Sequence, residues 1–401
     1  MQPFISALLL QSGYNAALVC VGAALLGAAA GATGTFLFLR KRALVSDAIA
    51  HATLPGVTLA YVAMVFLGGD GRNLAGLLGG AGLSALLGLL AVNTLVARTR
   101  LAEDAAIGAV LSVFFGFGIV MLTVIQTLNR GQPAGLEGFL LGSTAGMLRA
   151  DALVIAIGGA FAVGMVIALR RPLGIIAFDS GFASATGVHV ARMDLLLMAL
   201  VMAVVVVGLK VVGLILIVAM LIIPPVSARF WTDRTDRVLL LAGLMGGVAA
   251  YIGAALSASA PDLPTGAVIV MVSALGFVIS LLLAPGRGLL AVFIGARRFQ
   301  ARVHLRQGLL ALGHGERIFD RYTLNVLRRA GFIRRDGVAT VDGQTEGVRA
   351  LRDEARWRLV RRTYHDEAIT QRYDGLTPIE TVLTADEIAL IDAQLGARHG
   401  R

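Results

Sequence analysis

Ser46-Asp47-Ala48-Ile49-Ala50-His51-Ala52-Thr53-Leu54-Pro55-Gly56-Val57 is the stretch on which the reading of this chain turns. Asp47 and His51 are four residues apart, so a helix places them on one face, one turn from each other. The apolar segment that holds them, residues 43–67, is long enough to cross a bilayer. An Asp near the middle of a membrane helix costs roughly 2.5–3.5 kcal/mol on insertion scales. Residues that carry such a penalty line polar pathways, and Asp and His are both metal ligands. Pro55 removes a backbone donor and Gly56 permits close approach. Together they predict a helix kink one turn beyond His51, the kind of irregularity that opens a cavity at membrane depth.

The rest of the chain fits a membrane setting. Hydrophobic residues make up 57% of 401 and charged residues only 15%, and mean hydropathy is +0.80. That composition belongs to an integral membrane protein and excludes a soluble globule. More than half of the charged residues follow Gly288. The chain therefore divides into a transmembrane domain, 1–288, and a cytoplasmic tail, 289–401. The single cysteine, Cys20, excludes an intramolecular disulfide and any multi-cysteine metal site. The net charge of +10 resides at helix ends and in the tail, as the positive-inside rule has it, and nucleic acid is not among the expected partners. Residues before the first apolar run lack a basic n-region and a small-residue cleavage site, so no cleaved leader is expected.

Apolar runs predict membrane helices over 16–39, 43–67, 74–97, 105–128, 152–169, 238–257 and 267–283. The run 195–223 is interrupted near Lys210 and Gly213 and reads as two segments joined by a tight bend. Residues 136–148 are too few to span and read as a re-entrant or surface helix, and 178–192 reads as a polar loop. Basic clusters at Arg40–Arg42, Arg98–Arg100, Arg170-Arg171, Arg229–Arg237 and from Arg287 onward belong on one side. Placing them in the cytoplasm gives an outside amino terminus, an inside carboxyl terminus and about nine crossings, or eight if 195–223 is one helix. The 49 glycines, many in apolar runs, predict close helix packing. In the tail, a short amphipathic helix over 321–330 is followed by Gly331. A hairpin then turns at Asp336-Gly337, with further helices over 344–364 and 385–395. The fold class expected is an all-α polytopic membrane protein of about 8–9 transmembrane helices, followed by a small α+β winged-helix-like domain.

The stretch 46–57 resembles the signature of the permeases of manganese, zinc and iron ABC importers. Four more stretches agree in order. Glu103-Asp104-Ala105-Ala106-Ile107-Gly108 is similar to the acidic start of the family's fourth helix, and Leu136-Glu137-Gly138-Phe139-Leu140-Leu141-Gly142-Ser143 to the short helix at its external mouth. Residues 178–188, from Phe178 to Val188, resemble the cytoplasmic segment that docks on the ATPase. Val211-Val212-Gly213-Leu214-Ile215-Leu216-Ile217-Val218-Ala219-Met220-Leu221-Ile222-Ile223-Pro224 resembles the family's long apolar run ending in proline. The resemblance covers residues 16–283. In the tail, Ala355-Arg356-Trp357-Arg358-Leu359-Val360 and Thr381-Val382-Leu383-Thr384-Ala385-Asp386-Glu387 resemble parts of iron-dependent, diphtheria-toxin-repressor-type regulators. Thr381 stands where that pattern has His, and Glu380 keeps one acid, so metal sensing by the tail is not expected. A regulatory or docking module is the simpler reading.

The resemblance implies a mechanism. Two permeases, this chain with itself or with a sister, form a pathway at their interface. A metal-binding lipoprotein or periplasmic binding protein delivers a divalent cation. A cytoplasmic ABC ATPase dimer drives alternation, so ATP binds the partner. Asp47 and His51 map onto the family's pathway ligands. Phe178, Asp179, Phe182, Ala183 and Gly187 map onto the coupling segment, where Phe178 and Phe182 form an apolar knob and Asp179 caps a helix. The chain itself carries no Gly-x-x-x-x-Gly-Lys-Ser/Thr loop and is not expected to hydrolyse ATP. No cofactor is expected to be bound permanently; the cargo is manganese, zinc or iron, and ligand type does not choose among them. The location implied is the bacterial cytoplasmic membrane. Competing readings are a siderophore or cobalamin-type permease, a secondary metal/proton antiporter, and a membrane-tethered transcription factor.

Overall fold

The computed structural model describes residues 2–11, 13–69, 71, 73–127, 149–259, 263–363 and 374–399. It divides into two compact units, Met1–Leu289 and Leu290–Arg401. The short helix expected over 136–148 lies outside the described residues, as do residues 364–373 of the tail.

The first unit is helical throughout its described residues. Its helices are α1 (Gln2–Leu8), α2 (Tyr14–Leu39), α3 (Ala43–Phe66), α4 (Leu74–Arg98), α5 (Glu103–Thr127), α6 (Arg149–Phe178), α7 (Ser180–Ala185), α8 (Val190–Val212), α9 (Leu214–Trp231), α10 (Thr235–Ala258) and α11 (Thr265–Leu283). Eight of these are long and apolar enough to cross a membrane; residues 216–231 of α9 form a shorter apolar helix. The run 195–223 divides at Gly213, whose φ of 78° ends α8 and starts α9. At 18 residues α9 is about 27 Å long, close to the hydrocarbon thickness of about 30 Å. Its Trp231 indole donates to Ser280 Oγ near the end of α11, 3.0 Å away. Arg170, late in α6, pairs with Asp236 at the start of α10.

Small residues set the packing. α2 lies against α10, where Gly27 faces Gly246 and Gly31 faces Ala242 so closely that a Cβ on either glycine would collide with the opposite carbonyl. α3 crosses α4 in the same way at Gly56 and Gly80. Around these crossings the core holds Phe36, Leu37, Ile49, Leu197, Leu209 and Ile217, all essentially inaccessible. One expected helix end is corrected. α6 does not stop before Pro172 but continues to Phe178, because Leu173 and Ile176 are buried and hold the last turns against the bundle.

The second unit contains α12 (Leu289–His314, beginning at the boundary), α13 (Arg321–Arg329), α14 (Val341–Thr363), a 3-10 turn at Ile379–Thr381, and α15 (Ala385–His399). The expected α+β winged-helix character is not met: among the described residues there is no strand. The hairpin at Asp336-Gly337 is reduced to one antiparallel bridge between Ile333 and Ala339. The Arg334 N–H donates to the Val338 carbonyl and the Thr340 N–H to the Phe332 carbonyl. Gly331 on one side and α14 on the other leave too little chain to extend this pairing into a ladder. The core of the unit is Trp357, Leu359, Val360, Ile379 and Ile391. Arg356 donates twice to Asp392 and holds its carboxyl below the usual carboxylate range.

Candidate functional site

α3 begins at Ala43 just after a tight turn. Arg40 closes α2, Lys41 takes a left-handed φ of 59°, and Arg42 precedes α3. Asp47 and His51, the fifth and ninth residues of α3, follow in its second and third turns. His51 Nε2 lies 3.2 Å from Asp47 Oδ1. Two ligands bonded to one ion at about 2.1 Å and at a near-tetrahedral angle stand about 3.4 Å apart. The observed gap is therefore the bite of a shared cation as well as the length of a hydrogen bond. Which it is depends on the proton. With hydrogen on Nε2 the imidazole donates to the carboxylate; with hydrogen on Nδ1, the Nε2 lone pair and Oδ1 face the same space.

The surroundings of the pair are apolar. The Phe115 ring of α5 meets the imidazole edge-on, with centroids 4.7 Å apart and planes at 83°. His51 Nδ1 is buried and has no hydrogen-bond partner among the described residues. Pro55 has no N–H to give the His51 carbonyl, its partner one turn back. α3 nevertheless runs through Pro55 without interruption, and Thr58 Oγ1 donates to the carbonyls of Leu54 and Pro55. Gly56 serves the crossing with α4. The face holding the pair is open: the Asp47 side chain is 35% exposed and that of His51 18%, with Leu44, one turn earlier, at 51%. Among the described residues no group of three or more His, Cys, Asp or Glu gathers. One chain thus brings two donors and an uncovered side.

The residues expected to form the coupling segment are also brought together. Asp179 Oδ1 accepts from the Phe182 N–H, 2.9 Å away, and caps α7. Gly187, at φ 85°, closes the helix: its N–H donates to Ser184 and that of Val188 to Ala183, a Schellman motif. Ala183 is buried and fixes the short helix to the bundle, while Phe178 and Phe182 are 64% and 57% exposed. A cavity of about 540 Å³ opens beside Phe178, lined by Arg170, Arg171, Ile175 and Asp236 among others. Sequence reasoning missed the Phe115 contact and an ion cluster around Asp194, described below. For Asp194 the available signal was an acid four residues inside a largely apolar helix.

Residues 14–284 match the ABC 3 transport family. The chain is similar to the manganese transport system membrane protein MntC of Bacillus subtilis, 39% identical over 78% of this chain and 69% of the relative. It is similar to the zinc transport system membrane protein TroC of Treponema pallidum, 38% identical over 70% of this chain and 93% of the relative. The chelated iron transport system membrane protein YfeC of Yersinia pestis is 31% identical over 71% of this chain and 89% of the relative. Among solved structures, PsaBC from Streptococcus pneumoniae in complex with Fab superposes with a TM-score of 0.61 at 30% identity, covering 71% of this chain and 96% of that one.

Proposed function

The chain belongs to the ABC 3 transport family, and we propose that it serves as the membrane permease of an ATP-driven importer of manganese, zinc or iron. It is a translocation subunit and not an enzyme. The observation that carries the reading is the Asp47–His51 pair at 3.2 Å on an uncovered face of α3, inside the span that matches the family. A first-row divalent cation is the cargo. The carboxylate supplies charge, and the imidazole supplies a softer donor once its proton resides on Nδ1. Two donors per chain form a shallow site, which lets the ion leave as readily as it arrives.

In the proposed assembly a second permease, identical or sister, covers the Leu44–Asp47–His51 face and brings its own two donors. A cytoplasmic ABC ATPase dimer docks on Phe178 and Phe182, held outward by the Asp179 cap, the buried Ala183 and the Gly187 turn, and this partner binds ATP. A metal-binding lipoprotein or periplasmic binding protein delivers the ion from the opposite side. The membrane is the bacterial cytoplasmic membrane, and the second unit is cytoplasmic. The test is uptake of labelled manganese, zinc and iron into proteoliposomes holding this chain, its co-expressed ATPase and its binding protein. ATP-dependent accumulation is expected. Accumulation that needs only a proton gradient and no ATPase would sink the reading and favour an antiporter. Phe182→Asp is expected to abolish co-purification of the ATPase while the chain stays monodisperse.

A further inference from the structure

Beyond the pair on α3, one cluster of charged groups in the first unit ties the adjoining ends of α2, α3 and α5 to α8. Arg40, at the end of α2, donates through Nη2 to Asp194 Oδ2 at 2.5 Å and through Nη1 to the Ile176 carbonyl at 2.9 Å. Ile176 lies in the last turn of α6 and Asp194 in the first turns of α8. These are the two legs of the hairpin whose tip is α7, so one guanidinium holds both. Arg42, two residues on, reaches the same Asp194 Oδ2 at 3.4 Å and Glu103 Oε1 at 3.1 Å. Arg42 directly precedes α3, and Asp47 follows five residues later, about 7.5 Å along the helix.

We propose that Asp194 is a positioning residue that relays movement of the α7 hairpin to the helix carrying Asp47 and His51, through its shared bonds to Arg40 and Arg42. This rests on the permease reading above. Three features separate the junction from a static brace. Asp194 and Arg40 are both 15% exposed, yet Asp194 Oδ1 and Arg40 Nε are buried without partners among the described residues. A second arrangement is therefore open to the same two groups, with Nε and Oδ1 paired side-on, and a half-satisfied buried network is poised to rearrange. Second, the link between the two arginines is Lys41 in the left-handed region, a conformation that non-glycine residues hold only where surroundings impose it. Third, Asp194 Oδ2 accepts from both Arg40 and Arg42, so displacement of the hairpin reaches both at once.

The test uses the full permease–ATPase complex in proteoliposomes and reads ions moved per ATP hydrolysed. Asp194→Asn is expected to keep the ATPase bound and hydrolysing while the ratio falls at least tenfold, and Asp194→Glu to recover at least half of it. An Asp194→Asn complex with a ratio within twofold of wild type overturns the relay. Should that variant fail to assemble, Arg42→Gln carries the same test, because it removes only the α3 side of the junction and leaves Arg40 on Asp194. An unchanged ratio there overturns the relay equally. A wild-type complex that moves no cation overturns the permease reading and the relay with it, whereas a working wild type beside an unaltered variant overturns the relay alone.

Discussion

Asp47 and His51 hold each other and little else: one contact at 3.2 Å, an imidazole nitrogen without a partner among the described residues, and an open side. The carboxylates of the second unit are better supplied by comparison, although Arg306 Nε is itself buried without a partner among the described residues. Asp353 takes Arg306 on one oxygen and the Ile379 N–H on the other. Asp392 receives two bonds from Arg356. Asp320 caps α13 through the Thr323 N–H and hydroxyl. Completed networks hold structure together, and removing a member leaves a buried group stranded. A pair short of ligands has coordination left for something that comes and goes. Substitutions in the second unit should therefore register as stability, and those at Asp47 and His51 as transport.

The strongest break in that comparison is Trp357→Ala. Trp357 is fully buried and its indole donates to the Thr377 carbonyl. Its loss should cost about 3–5 kcal/mol, read as protease sensitivity confined to residues 290–401 while the membrane unit stays protected. Arg356→Ala is milder, because Asp392 is 39% exposed and water can replace the lost bonds. A destabilisation of about 1 kcal/mol is expected, measurable as a lower melting temperature in a Trp231→Phe background where Trp357 is the only tryptophan. The smallest effect is a pH dependence. Asp392, bonded by Arg356, and Asp320, bonded by Thr323, are both held below the usual carboxylate range. The folded unit then binds fewer protons than the unfolded chain. Its extra stability is present above the unfolded value of about 3.9 and is lost as pH falls through the lower folded values. Asp392→Asn should flatten the acid-side drop in melting temperature; an unchanged drop would remove that pair from the explanation.

How much could be read beforehand follows from distance along the chain. The spans were legible because burial in lipid writes long apolar runs. The divide at Gly213 was legible because an interruption in such a run is local. Asp47 and His51 meet as their spacing predicts, and Asp179 caps the helix its position suggests. The junction at Asp194 was not legible, since Arg40 and Asp194 are 154 residues apart and neither carries a periodic signal. The Phe115 ring on His51 escaped for the same reason. α12 went unread because residues 289–314 mix apolar and arginine-rich turns without a clean helical face. The expected hairpin was over-read: Asp336-Gly337 does make a turn, but the flanking residues are too few for strands.

The central claim is that Asp47 and His51 carry the ion and do not merely hold α3 in place. The direct measurement is initial cation uptake, per assembled complex, by proteoliposomes containing Asp47→Ala or His51→Ala together with the ATPase and binding protein. Uptake is predicted to fall about 100-fold or more, while the melting temperature and the amount of bound ATPase match wild type. Uptake that stays at the wild-type rate in complexes assembled to the same level would contradict it.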